Sequence, residues 1–310
     1  MSAIVTVTMN PAVDLSGTAE RLLVGHKTRC GTQVREPGGG GINVAGGIHA
    51  LGGDALALYA AGGPNGNELE RLLKDRGLKQ QRIAIEGDTR NDLAIQEKAT
   101  GKLFHFVFSG PSLSEREWQH CLESVNTVEP VPDYLVLSGS LPPGVPADFY
   151  AYAARAATER GTRVILDSSG PALRPTLEAG VFLVKPNRKE FGQFGVPEDA
   201  GHEIYLDAMQ EMVNDGLAQV VIVTLGSDGA LLVSRAGDRL HLRPPPVEGI
   251  SPVGAGDSFV AVLTHQLARG NSLVEAFRYG IAAAAAAVLT PGTQLYSSDA
   301  IEQMYRRMIE

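Results

Sequence analysis

Apolar positions along the chain follow two alternating rhythms. Short runs of aliphatic and β-branched residues read as strands over Ala3–Thr8, Ala55–Ala60, Tyr134–Ser138, Arg163–Asp167, Phe182–Lys185, Val220–Thr224 and Ala230–Ser234. Between them apolar residues recur at helical spacing, which predicts helices over 42–51, 66–76, 114–127, 147–160, 203–215, 255–269 and 273–289. Strand–helix alternation of this kind implies an α/β fold with a mostly parallel central sheet covered by helices on both faces. In such sheets ligands collect beyond the carboxyl ends of the strands. Many of the Gly, Asp, Lys and Asn residues discussed below stand just after a predicted strand.

Two segments break the alternation. Residues 11–35 carry no helical period, and 91–108 read as a hairpin: Leu93–Lys98, a turn at Ala99–Gly101, then Leu103–Phe108. Together they predict a small second sheet, a lid of two insertions that would exclude water from a reaction beneath it. An edge extension of the main sheet is the alternative reading. The alanine run 282–287 serves close helix packing.

Composition narrows the partners. The chain has 310 residues, 44% hydrophobic, with a formal net charge of −8. That is enough apolar material for a full core, and the charge disfavours nonspecific binding to nucleic acid or anionic membrane. The two cysteines, Cys30 and Cys121, have no metal or redox spacing and fit a reducing compartment. The N-terminus lacks a basic n-region, and the longest apolar run, Ile281–Leu289, is far short of the ~20 residues of a membrane span. The expectation is a soluble cytoplasmic protein whose ligand, if anionic, is held by a few placed cations.

Common nucleotide and hydrolase signatures fail. Gly101-Lys102 lacks the rest of a phosphate-binding P-loop, and the spacing that begins at Gly39 ends on Val44 instead of a third glycine. The stretch "SPVGAGDSFV" (251–260) is more informative. It precedes an apolar run at helical spacing, so Gly254, Ala255 and Gly256 sit at a helix N-terminus, where free amides and the helix dipole favour an anion. Asp257 would stand beside that anion. Such an acid is ill-suited to binding alone, but it suits a base that takes a proton from a nucleophile attacking the anion. The competing reading is a helix-capping acid behind a tight turn.

Three further groups accompany it. In "VKPNRKE" (184–190), Lys185 is a candidate phosphate cation, and Asn187 and Glu190 are oxygen donors for Mg²⁺, through water; Asn-x-x-Glu is equally a helix capping box. In "VTLGSDGA" (223–230), Thr224, Gly226 and Gly229 form a turn that either cradles nucleotide or is a plain hairpin. Near the N-terminus, Asp14 and the run Gly38–Gly41 with Asn43 offer a polar floor for sugar hydroxyls. Lys27, Arg29 and Arg90 lie in the two lid segments and suggest a second anionic group, separate from the nucleotide.

The motifs "GGGGINVA", "TRND", "SGSLPPG", "VKPNRKE", "TLGSDGA" and "PVGAGDSFVA", in this order over essentially the whole chain, resemble the PfkB carbohydrate kinase family. That resemblance implies a ribokinase-like three-layer α/β/α fold with a β-sheet lid: one kinase domain over 1–310, with lid insertions 11–35 and 89–108. It implies ATP and Mg²⁺ as cofactors and Asp257 as the catalytic base. Gly254, Ala255 and Gly256 would be the anion hole, and Lys185, Asn187, Glu190, Thr224, Gly226 and Gly229 the nucleotide and metal set. Asp14, Gly39, Gly40, Gly41, Asn43 and Ser140 would contact the sugar, and Lys27, Arg29 and Arg90 its phosphate. It also implies a K⁺-type cation near Ser251, Val253, Ala287, Thr290 and Gly292, and a homodimer formed through the lid, burying Phe104, Phe106 and Phe108. Gly38–Gly41 stands where kinases of fructose 1-phosphate and tagatose 6-phosphate usually carry Gly-Gly-Lys-Gly. That favours phosphorylation of fructose 6-phosphate at its 1-hydroxyl, with those sister substrates as the alternative and a non-catalytic nucleotide sensor behind them.

Overall fold

A computed structural model describes residues 3–247, 253–289 and 297–309. The chain opens with β1 (Ile4–Thr8), β2 (Ala12–Ala19), β3 (Val34–Gly38), α1 (Gly40–Ala50), β4 (Ala55–Ala61), α2 (Gly63–Asp75) and β5 (Lys79–Ala84). The antiparallel pair β6 (Arg90–Glu97) and β7 (Leu103–Phe106) follows, then α3 (Glu115–Asn126), β8 (Tyr134–Ser138), α4 (Phe149–Glu159), β9 (Arg163–Asp167) and α5 (Leu173–Glu178). Next come β10 (Val181–Val184), α6 (Arg188–Phe191), α7 (His202–Asn214), β11 (Ala218–Thr224), β12 (Ala230–Ser234) and β13 (Arg239–Leu242). The last helices are α8 (Ala255–Ala268), α9 (Leu273–Val288) and α10 (Ser298–Ile309).

Among the described residues the large sheet has nine strands, in the order β13-β12-β11-β10-β9-β8-β1-β4-β5. It is parallel from β11 to β5, and only β12 and β13 run antiparallel. Alternate strand residues feed opposite faces. Val5, Leu135, Leu166 and Val221 pack on one side against Phe149, Phe191 and Tyr205 of α4, α6 and α7. Ile4, Val136, Ile165 and Ile222 pack on the other against Val44, Phe259 and Phe277 of α1, α8 and α9. The chain winds outward from β1 through β4 and β5, then returns to the opposite side of β1 at β8. The switch point between β1 and β8 opens a crevice at the carboxyl edge, where such folds bind ligands.

The second sheet has four strands, β3-β2-β6-β7. Its β2 and β6 pair in parallel, with Ala12 opposite Arg90 and Asp14 opposite Asp92. The interrupted stretch 11–35 therefore holds β2, and its partner β3 reaches Gly38. The hairpin is shifted from expectation: β6 starts at Arg90, and β7 stops at Phe106, leaving Val107 and Phe108 outside the pairing.

The sequence pattern missed α5 and α10 among the helices and β5 and β13 among the strands. The edge strand β5 reads KQQRIA and buries only Ile83, so it shows no clean alternation. In α10, Ile301, Met304, Tyr305 and Met308 keep a helical period, and they close over α9 through Tyr279 stacked on Tyr305 at 4.1 Å. No described helix is long and apolar enough to cross a membrane.

Candidate active site

Every parallel strand that reaches the crevice delivers a polar group at or just beyond its carboxyl end. β1 ends at Thr8, β8 at Ser138, β9 at Asp167, β10 runs into Lys185 and β11 ends at Thr224. Thr8 Oγ1 accepts a hydrogen bond from the amide of Ile42 at 3.0 Å, which ties the start of α1 to the sheet. Gly39 takes a φ of 116°, and a Cβ at Gly41 would lie 2.6 Å from the carbonyl oxygen of Val7. Glycines here let α1 begin directly on top of β1.

From α1, Asn43 Nδ2 donates to Asp257 Oδ2 at 2.8 Å. Asp257 is in the first turn of α8, capped by Gly254 in the left-handed region at φ 79°. Asp257's carboxyl is pushed up to about 7, chiefly by burial and by the charge of Asp167; Asn43 and Lys185 act in the opposite direction. Among the described residues a Cβ at Gly256 would meet only Lys185 Nζ, at 3.6 Å, so the helix end presents bare backbone to a buried ammonium. Lys185 pairs with Asp167 at 3.0 Å. Burial works to discharge that lysine, but Asp167, Glu190 and Asp257 outweigh it and hold it charged.

Asp167 is the residue that sequence reasoning did not select. It ends a predicted strand at the edge where ligands bind, and that position was the available signal. Its partner, Lys185, comes from the neighbouring strand of the sheet, and only the sheet order shows that the two meet.

The motifs expected to hold the nucleotide also come together. Asn187 forms a bridge with Thr224, and the Thr224 amide donates to the Pro186 carbonyl at 3.1 Å. Arg188 pairs with Asp228 at 2.5 Å, joining the loop after β10 to the turn carrying Gly226 and Gly229, both at positive φ. Asn187 and Glu190 form a reciprocal capping box: Asn187 Oδ1 accepts from the Glu190 amide at 2.9 Å, and Glu190 Oε2 accepts from the Asn187 amide at 2.8 Å. The capping reading thus applies here. Glu190 Oε1 has no hydrogen bond among the described residues and stays available. Its carboxyl is raised by burial, while Lys185 pulls it back. Two carboxylates, Asp167 and Glu190, beside a lysine are hard oxygen donors that fit Mg²⁺ held mainly through water and phosphate.

Beneath the small sheet a cavity of about 250 Å³ is lined by Asp14, Asp92, Gln96, His105 and Val253 among others. Burial, followed by Asp92, pushes Asp14 up to about 7, against the pull of Arg90. A Cβ at Gly38 would collide with the Asp14 carboxyl, so the glycine floor leaves room for that acid. Arg90 is nearly buried. It pairs with Asp92 at 3.0 Å and donates to the carbonyls of Phe108 and Asn10 at 2.9 and 3.2 Å, while its Nε has no partner among the described residues. A second cavity of about 490 Å³ opens beside it, lined by Asn10, Phe108, Ser109 and Ser140 among others. There Asn10 Nδ2 donates to Ser140 Oγ at 3.2 Å.

Lys27 and Arg29 are exposed in the loop between β2 and β3 and line neither cavity. The structure therefore brings Arg90 to the site within one chain, but not those two cations. Ser251, Thr290 and Gly292 lie outside the described residues, so only Val253 and Ala287 of the expected monovalent-cation set are seen.

Residues 4–300 match the pfkB family carbohydrate kinases. The chain belongs to the PfkB family. Among its relatives, the ATP-dependent 6-phosphofructokinase isozyme 2 of Mycobacterium tuberculosis is 40% identical over 307 residues, covering 99% of this chain and 90% of that protein. The Escherichia coli isozyme 2 is 41% identical over 306 residues, covering 98% of each. The 1-phosphofructokinase of Bacillus subtilis is 31% identical over 301 residues, covering 97% of each. Among solved structures, E. coli phosphofructokinase-2 in complex with potassium superposes with a TM-score of 0.95 at 40% identity over all of both chains. The same enzyme with fructose-6-phosphate gives 0.93 at 39% identity over all of both chains. Its tetrameric inhibited form gives 0.93 at 39% identity, again over all of both chains. The α/β architecture with a separate small sheet is thus that of the PfkB kinases, and the chain is a sugar kinase of that family.

Proposed function

We propose that this PfkB-family kinase transfers the γ-phosphoryl group of ATP to the 1-hydroxyl of fructose 6-phosphate, giving fructose 1,6-bisphosphate and ADP. The observation that carries the reading is the meeting of Asn43, Asp257 and Lys185 at the glycine-bare start of α8. In the reaction the hydroxyl oxygen bonds to the γ-phosphorus as the bond to the β–γ bridging oxygen breaks. The hydroxyl proton passes to Asp257, and ADP carries away the bridging oxygen. Amides of Ala255 and Gly256 and the Lys185 ammonium face the charge that spreads over the transferring oxygens. Asn43 holds the Asp257 carboxyl in place, and a carboxyl titrating near 7 matches a base that works at neutral pH. Mg²⁺ arriving with ATP supplies further neutralisation of phosphate charge, with Glu190 and Asp167 as the protein oxygens nearest that task.

Asp14, Gly39, Gly40, Gly41 and Asn43 form the sugar floor in this reading, and Arg90 with Ser140 takes the 6-phosphate end. The unpaired Nε of Arg90 and the adjoining 490 Å³ cavity support that assignment. Thr224, Gly226 and Gly229 cradle the nucleotide. A K⁺-type cation at the Ser251, Val253, Ala287, Thr290 and Gly292 set is tested by comparing turnover in K⁺ and in tetramethylammonium.

Phe106 and Phe108 are 48% and 58% exposed on the small sheet and its extension, and Val107 between them is also open. An apolar face of this kind supports a homodimer through the lid, in which Lys27 and Arg29 reach a site they do not reach within one chain. Sedimentation of Phe106→Asp against wild type tests it: a dimer that persists unchanged counts against the lid interface.

The deciding experiment is ADP release with Mg-ATP over fructose 6-phosphate, tagatose 6-phosphate, fructose 1-phosphate, fructose and ribose. A kcat/KM at least tenfold higher on fructose 6-phosphate than on the others is expected. Preference for fructose 1-phosphate would replace the acceptor, in line with the 1-phosphofructokinase relative, and leave the mechanism standing.

A further inference from the structure

The far end of α8 holds a cavity that phosphoryl transfer does not use. It measures about 150 Å³ and is lined by Leu51, Val262, His265, Gln266, Arg269, Tyr279, Ser298, Ile301 and Glu302. From Gly256 to Arg269 the helix runs roughly 20 Å at 1.5 Å per residue, so this space is remote from the Asp257 carboxyl.

Its donors are in excess. His265 is 6% exposed and its ring makes no hydrogen bond among the described residues. A Cβ on Gly53 would lie 2.6 Å from its Nδ1, so that edge of the ring rests on bare backbone. Gln266 is 7% exposed; its Oε1 accepts from Asn271 Nδ2 at 2.5 Å, while its Nε2 has no partner among the described residues. Arg269 is exposed and forms no ion pair among the described residues. Ser298 opens α10, a helix of 12 residues, and brings a hydroxyl and a first-turn amide. Of the opposing charges, Glu302 is already engaged by Tyr279 Oη at 3.2 Å and Arg306 Nε at 3.2 Å. Asp299 is exposed in the same first turn and is not among the lining residues.

Polar side chains that line a cavity without a protein partner meet solvent there, or a ligand's acceptor. Two neighbouring side chains without a protein acceptor among the described residues, facing one small space beside an exposed guanidinium and a helix start, offer a ligand's acceptor a ready set of donors. We propose that this cavity binds a small oxyanion, a phosphate or carboxylate group, between Arg269, Gln266, His265 and the start of α10. The lining is almost entirely α8, α9 and α10, so occupancy would tie the last helix to the one whose other end carries Asp257.

The test follows the His265 ring resonance, assigned by its disappearance in His265→Asn, in full-length protein saturated with Mg-ADP. Inorganic phosphate is titrated in one arm and acetate in the other. A saturable shift in either arm, weakened tenfold or more in Arg269→Met, is the expected result, and the responding arm identifies the group. A resonance unmoved in both arms, or moved equally in Arg269→Met, overturns the proposal. Should His265→Asn fail to fold, equilibrium dialysis of labelled phosphate and labelled acetate against wild type and Arg269→Met decides alone. Arg269 is exposed, so its replacement leaves the fold intact, and anion bound at Gly254–Gly256 would not respond to it. Equal uptake of both anions by the two proteins overturns the site.

Discussion

Asn43 and Asp257 are 214 residues apart in sequence and share a hydrogen bond of 2.8 Å. The contact joins the start of α1 to the start of α8 and fixes where the carboxylate stands over the crevice. Replacing Asp257 with Asn should cut turnover about 10²–10⁴-fold while leaving ATP affinity within about threefold. Turnover near wild type would remove Asp257 from the chemistry.

The same contact sets a pH limit. As the proposed base Asp257 must be unprotonated to accept a proton, and its carboxyl lies near 7, with Asn43 pulling it down. The logarithm of kcat/KM should therefore fall with unit slope below about pH 7. In Asn43→Ala the midpoint should move to higher pH, and a full pH–rate profile of both proteins reads it.

Stability should carry the opposite pH signature. Asp257 is held above its ordinary value of 3.8, so the folded state binds the proton more tightly than the unfolded one between pH 3.8 and about 7. Its favourable contribution is complete below 3.8 and is lost as pH rises through 7. Asp257→Asn should thus be more stable than wild type at pH 8, by on the order of 4 kcal/mol, with the gain shrinking toward pH 4. Thermal melts across that range check it, and a gain that grows on acidification would contradict the assigned burial.

Arg188 and Asp228 lock together two loops that are proposed to hold the nucleotide. Arg188→Ala should raise the ATP KM by about five- to tenfold, on the scale of losing a partly buried charge-assisted hydrogen bond. The sugar KM should stay unchanged, and initial rates at varied concentrations of each substrate separate the two.

Arg90 and Gly38 probe the other side. Arg90→Ala should raise the sugar-phosphate KM at least tenfold more than the ATP KM. Gly38→Ala should also act on the sugar side, because its methyl group would displace the Asp14 carboxyl. Equal effects on both substrates would make these residues structural only.

Much of the fold was legible because its signals are local. β8, β9 and β12 occupy the predicted residues, since short β-branched runs buried on both faces leave little ambiguity. The helix start at Gly254–Asp257 and the capping box at Asn187–Glu190 are readable for the same reason: each is written within four residues. The polar edge strand β5 was not legible, nor was the shift of the hairpin, because pairing partners rather than composition determine both. The sequence by itself therefore determined the strand–helix alternation, the glycine-bare helix start and the acid behind it. Only the tertiary structure decided that Asp167 meets Lys185, that Asn43 reaches Asp257, and that Arg90 turns inward while Lys27 and Arg29 stay in solvent. Those are contacts between distant segments, and their geometry is set by strand order and helix packing, which no local pattern encodes.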